Sequence, residues 1–166
     1  MKVPEKHQSA IGMSASELTI RNSTIFSKID LSEGSKLTLE NVHIEEFGNN
    51  TIHAKDSEVI AKNFNDYRRG SGKGFSTSWL RNVIWESKNC KIELPTGTGV
   101  CLDNNVQFNS DSDRITSLNA FNSMIRAHQA TFSEFLCVYE ESFASLTGET
   151  TFLNENAQTI SFGVFD

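Results

Sequence analysis

Apolar and polar positions alternate along this chain in short bursts, and the bursts share one form. Written Ser/Thr-x-apolar-x-apolar-x-Asn, the pattern recurs at Ser16–Asn22, Ser35–Asn41, Ser57–Asn63 and Ser76–Asn82. It continues at Thr98–Asn104, Thr116–Asn122, Ser133–Tyr139 and Thr150–Asn156. Period-2 alternation predicts strands, and successive starts 19, 22, 19, 22, 18, 17 and 17 residues apart predict a solenoid. The first position is Ser or Thr in all eight copies, the last is Asn in seven, and the apolar positions fail only at Ser78 and Asn154.

The odd positions of each copy share one face of a strand. They are expected to point inward, with the amides of Asn22, Asn41, Asn63, Asn82, Asn104 and Asn122 stacked as an internal ladder. Tyr139 interrupts that ladder and Asn156 resumes it. A buried amide is costly unless hydrogen-bonded, and an equivalent amide about 4.8 Å away in the next coil supplies the partner. Asparagine also tolerates the left-handed backbone of a corner.

The stacked asparagines and aliphatic columns resemble those of the right-handed parallel β-helix proteins, the broad group that includes pectate lyases and phage tailspikes. The resemblance spans residues 16–162 and is one of fold, without a catalytic motif. It implies an all-β, single-stranded parallel β-helix. The repeat gives about eight coils of 17–22 residues over 16–166, with residues 1–15 as an N-terminal cap. One segment pulls the other way. From Leu118 through Phe121, Ile125, His128, Phe132 and Phe135 to Tyr139, apolar or aromatic groups fall at helical spacing. The repeat register and the content of Phe, Thr, Val, Cys and Tyr favour strand there.

The outward positions change character along the axis. Early copies carry Glu17, Thr19, Arg21, Lys36, Thr38 and Glu40, a solvated surface with Arg21 set beside Glu40. Later ones carry Ile60, Trp79, Cys101, Phe121, Leu136, Val138 and Leu153. A contiguous patch of that kind is expected to meet a second copy or a partner protein, or to lie beneath a loop or the tail, unless a one-residue register slip puts Trp79 inside.

Length fits one domain. A net charge of −6 argues against a nucleic-acid partner, for which a basic face is expected. Cys90, Cys101 and Cys137 lack metal-binding spacing, so no metal or cofactor is expected. Met1–His7 has no apolar signal core, and no apolar run reaches 18 residues. A cytoplasmic chain with reduced thiols and no membrane partner is the expectation.

Candidate chemistry lies in two corner loops, 64–75 and 105–114. They would set Arg68, Arg69 and Lys73 opposite Asp111 and Asp113, and two carboxyls about 5–10 Å apart are what glycoside hydrolysis needs. Enzymes of the resembled group act on polysaccharides, using carboxylates or calcium with an arginine base. Gly70–Gly74 lacks the first glycine and the Ser/Thr of a phosphate loop. His43, His53 and His128 are scattered. The leading expectation is a non-catalytic interaction or self-association module. A carbohydrate-binding or carbohydrate-active protein using the two loops is the alternative.

Overall fold

The computed structural model describes residues 10–46, 52–68, 78–93, 99–139 and 141–154. Fifteen strands and no helix occur among them. The chain winds through three sheet faces in turn, named A, B and C here, and each coil lays one strand segment on each face. The first coil uses β1 (Ala10–Ser14) on face A, then β2 (Glu17–Ile25), which bends at Asn22 to serve faces B and C. The second uses β3 (Lys28–Ser32) and β4 (Lys36–Glu46), and the third β5 (Ile52–Lys62) and β6 (Asn65–Arg68). Next come β7 (Ser78–Lys88) and β8 (Lys91–Glu93), then β9 (Val100–Asp103) and β10 (Gln107–Asp111). β11 (Arg114–Phe121) closes one coil and opens another, followed by β12 (Met124–His128). β13 (Thr131–Tyr139) does the same, and β14 (Phe143–Thr147) and β15 (Thr151–Phe152) finish.

All pairings are parallel. Face A stacks β1, β3, β5, β7, β9, β11 and β13, seven strands deep, or about six turns. Face B stacks β2, β4, β5, β7, β10, β12 and β14. Face C stacks β2, β4, β6, β8, β11, β13 and β15. This is a parallel β-solenoid, as the repeat predicts. Regular pairing starts earlier than Ser16, because Ala10–Ser14 already pairs as a face-A strand. The remainder of the expected cap and the apolar tail Ile160–Phe165 lie outside the described residues.

Stacking turns alternation into columns. One inward column on face A runs Ile11, Ile29, Ile52, Ser78, Val100, Leu118, Leu136. On face B, Leu18, Leu37, Val59, Trp85, Phe108, Ile125 and Ala144 align, with Trp85 and Phe108 stacked at 5.7 Å. Rings and branched aliphatics repeat at the strand spacing, so each coil buries its neighbour's inner face. The segment from Leu118 to Tyr139 is β-structure throughout, divided among β11, β12 and β13. Its helix-like rhythm arises because two corners shift the parity between successive strands.

The corners explain the asparagines. Asn22, Asn41, Asn63 and Asn89 turn the chain between faces B and C with φ between 48° and 54°. Asn82, Asn104 and Asn122 turn it between faces A and B, again with positive φ. Asparagine is the side chain that takes this conformation at least cost after glycine. The sheet ladder continues through the bends, with Asn63 N–H donating to the Lys88 carbonyl at 3.0 Å and Asn89 N–H to that of Asp111 at 3.0 Å.

Candidate functional site

The asparagine residues do stack, though differently from the expected internal ladder. Asn41 Nδ2 donates to Asn22 Oδ1 at 3.0 Å, and Asn63 Nδ2 to Asn41 Oδ1 at 2.8 Å, on the B–C corner. A second set occupies the A–B corner. There Asn82 donates to Asp56 at 2.7 Å, Asn105 to Asn82 at 2.6 Å, and Asn122 to Asn104 at 2.6 Å. Both sets are exposed, because a left-handed corner keeps its side chain outward and returns the chain inward at the next residue, as at Val42, Phe64 and Val83. Asn156 lies outside the described residues.

The expected apolar patch is redistributed. Leu136 and Val138 are core residues, 1% and 2% exposed. A bulge makes β13 advance from Phe132 to Phe135 while β11 advances from Ile115 to Ser117. One extra residue in a strand reverses which side chains face in. Leu136 thereby lies on Leu118 and Val138 on Ala120. Ile60 faces outward on face B, and exposed Leu153 follows β15 on face C.

Trp79, Cys101 and Phe121 do share an outer face, that of A. One row runs Asp30, His53, Trp79, Cys101, Asn119, Cys137, each one strand from the next. The adjacent row carries Arg81, Asp103, Phe121 and Tyr139. The Trp79 ring lies 4.7 Å from that of His53, with the Arg81 guanidinium 4.8 Å from its centroid. Phe121 and Tyr139 stack at 4.7 Å, with ring planes 8° apart. Arg81 Nε donates to Asp103 Oδ2 at 3.1 Å, and His53 Nδ1 is 3.5 Å from Asp30 Oδ1. Burial, with Asp103 nearby, pushes the Cys101 thiol up, away from its nucleophilic thiolate. The strip is therefore suited to contact: half-buried rings already ordered by their neighbours, with charges of both signs among them.

The two candidate carboxylates fall on opposite sides of the sheet wall. Segment 105–114 is mostly strand β10 and the start of β11, so Asp111 points outward from face B and Asp113 inward at the following corner. Asp111 Oδ2 meets Lys88 Nζ at 2.6 Å, and hydrogen bonds from Lys88 and Ser112 hold its carboxyl below the usual range. Asp113 is 1% exposed and accepts from Ser87 Oγ, from Ser110 Oγ at 2.7 Å and from Cys90 N–H at 2.7 Å. Desolvation outweighs those three donors and raises its pKa. Burial likewise pushes the Cys90 thiol up to about 12. Asp111 and Asp113 therefore do not face one another across a common cleft. Of the expected basic partners, Arg68 ends β6, while Arg69, Lys73 and the Gly70–Gly74 stretch lie outside the described residues.

Sequence reasoning missed the buried cluster of Ser87, Cys90, Ser110 and Asp113. Its one signal was small or polar residues at inward positions, Ala61, Ser87, Ser110 and Ala127, aligned across four coils. Among the described residues no helix is long and apolar enough to cross a membrane. No family model, no curated protein and no solved structure matches this chain.

Proposed function

We propose that this chain is a non-catalytic interaction module whose face-A strip docks a protein surface, in the first instance a second copy of itself. The observation that carries the reading is the ordered aromatic surface formed by Trp79, Phe121 and Tyr139, with Arg81 and Asp103 between the rings. Aromatic residues with an arginine among them form the energetic centre of protein interfaces. A two-fold contact must be self-complementary, and a strip that carries both signs of charge satisfies that condition. Two such sheet faces pack at about 10 Å, as in a sandwich.

The grouping with right-handed β-helices of the pectate-lyase and tailspike kind rests on the paired asparagine corners, and a carbohydrate partner rests on that grouping alone. Three free thiols, two of them buried, fit a reducing cytoplasm. Light scattering on the purified chain tests the main reading. The wild type is expected to be a dimer or larger, and Trp79→Glu to be a folded monomer. A wild-type monomer at about 100 μM, well above the micromolar range of ordinary recognition, would overturn it.

A further inference from the structure

The outer surface of face B, away from the aromatic strip, holds a cleft of about 630 Å³. Its floor is a ladder of outward side chains repeating at the strand spacing. In one row Glu86, Asn109, Arg126 and Ser145 follow one another on adjacent strands. In the next, Lys88, Asp111 and His128 do so.

The charges in this cleft are unequally satisfied. Lys88 and Asp111 neutralise each other at 2.6 Å. His128 Nδ1 lies 3.0 Å from Thr147 Oγ1, which fixes the ring beside Arg126, two residues earlier on the same strand. Arg126 forms no ion pair with another described residue. Glu86 is in its row but two strands away, with Asn109 between them, so roughly 9.6 Å separates their backbones. A guanidinium therefore lines a concave site, with an amide on the strand to one side, a hydroxyl on the strand to the other and an imidazole two residues along. A fork of N–H donors flanked by neutral donors matches the geometry of a planar or tetrahedral oxyanion. Three cations (Lys62, Lys88, Arg126) against two carboxylates (Glu86, Asp111) also leave the cleft positive within a chain of net charge −6.

We propose that the face-B cleft binds a small molecule through a single oxyanion, a carboxylate or a phosphate, seated on Arg126 between Asn109 and Ser145. Glu86 borders the row and disfavours a ligand that carries a second negative charge toward its end, while the neutral Lys88–Asp111 pair adds no repulsion. The site is independent of face-A docking, since it faces away from the strip.

Titration of the full chain with inorganic phosphate, and separately with acetate, at constant pH and ionic strength provides the test. The readout is the NMR signals of the Arg126 Nε–H and the His128 ring. Saturable shifts are expected, with a dissociation constant on the order of 1 mM for such a fragment. Arg126→Gln should weaken binding by about tenfold or more, and Ser145→Ala by less. Arg21→Gln, which removes a surface guanidinium paired to Glu40 outside the cleft, should leave binding unchanged. Saturation by phosphate alone assigns the seat to a phosphate, by acetate alone to a carboxylate, and by both to either group. Shifts that fail to saturate with both anions, or equal binding in Arg126→Gln, would overturn the proposal.

Discussion

Asp113→Ala is the substitution whose cost the structure makes most explicit. The carboxylate occupies the B–C corner column, one residue before the paired positions Lys91, Arg114 and Thr131. It joins two coils, because Ser87 and Cys90 belong to one and Ser110 to the next. Truncation would leave Cys90 N–H and Ser110 Oγ without acceptors in the interior; Ser87 Oγ retains the Asn109 carbonyl at 3.4 Å. Each orphaned buried donor costs about 1–3 kcal/mol. Relief of the buried charge offsets part of this, leaving a net loss of about 2–4 kcal/mol. Asp113→Asn keeps one acceptor and the shape, and the serine hydroxyls can rotate to accept from the new amide. It should cost less than about 1 kcal/mol.

The pH dependence separates charge from shape. The native Asp113 pKa is raised above its unfolded value, so between the two values the folded state binds more protons. Its contribution is full below about pH 4 and declines as pH rises through the native pKa. Urea unfolding from pH 4 to pH 7 should therefore show Asp113→Asn gaining stability relative to wild type as pH rises, while Asp113→Ala stays below it. If Asp113→Ala unfolds within 0.5 kcal/mol of wild type, on the order of error in such comparisons, the cluster stabilises nothing. Equal damage by Ala and Asn would instead show that shape counts for little and that both carboxylate oxygens are needed as acceptors.

Three further outcomes follow from the geometry. Asn41→Ala breaks the bonds to Asn22 and Asn63 and leaves at φ 54° a residue that tolerates the left-handed region less well than asparagine. It should lose about 1–2 kcal/mol by thermal unfolding, with Asn41→Gly losing less because glycine adopts that φ freely. Gly99→Ala places a methyl 2.6 Å from the Ser117 carbonyl oxygen, a backbone atom that cannot swing away. Overpacking of this sort should lower stability by about 1–3 kcal/mol, read as a lower urea midpoint. Leu136→Ala, now a core truncation, should lose about 2–5 kcal/mol without altering the oligomeric state of whatever remains folded.

The repeat revealed the fold because alternation, turn residues and spacing all encode the same coil. It misplaced the copies because Ser/Thr-x-apolar-x-apolar-x-Asn describes any strand that ends at a left-handed corner, and each coil has more than one. Through Asn63 the copies follow face B. From Ser78 to Tyr139 they follow face A, since the stacked partner of Ser57 is Val83, 26 residues on, and not Ser76, and the last copy opens on face C at β15. The longer third turn hid that step, so two corner columns read as one. Trp79, Cys101 and Phe121 were legible as outward because their parity is unbroken. Leu136 and Val138 were not, since a one-residue bulge leaves no mark in composition. Asp113 was unreadable as a core group, because its three donors come from positions distant in sequence or hidden by a corner.

The three-faced stacking itself is best tested by side-chain contacts between coils in solution NMR. The account predicts cross-peaks from the Val59 methyls to the Trp85 indole and from Trp85 to the Phe108 ring, along the face-B column. Cross-peaks from Val59 to Ser78 in their place, the contact implied if every copy of the repeat lay on one face, would contradict it.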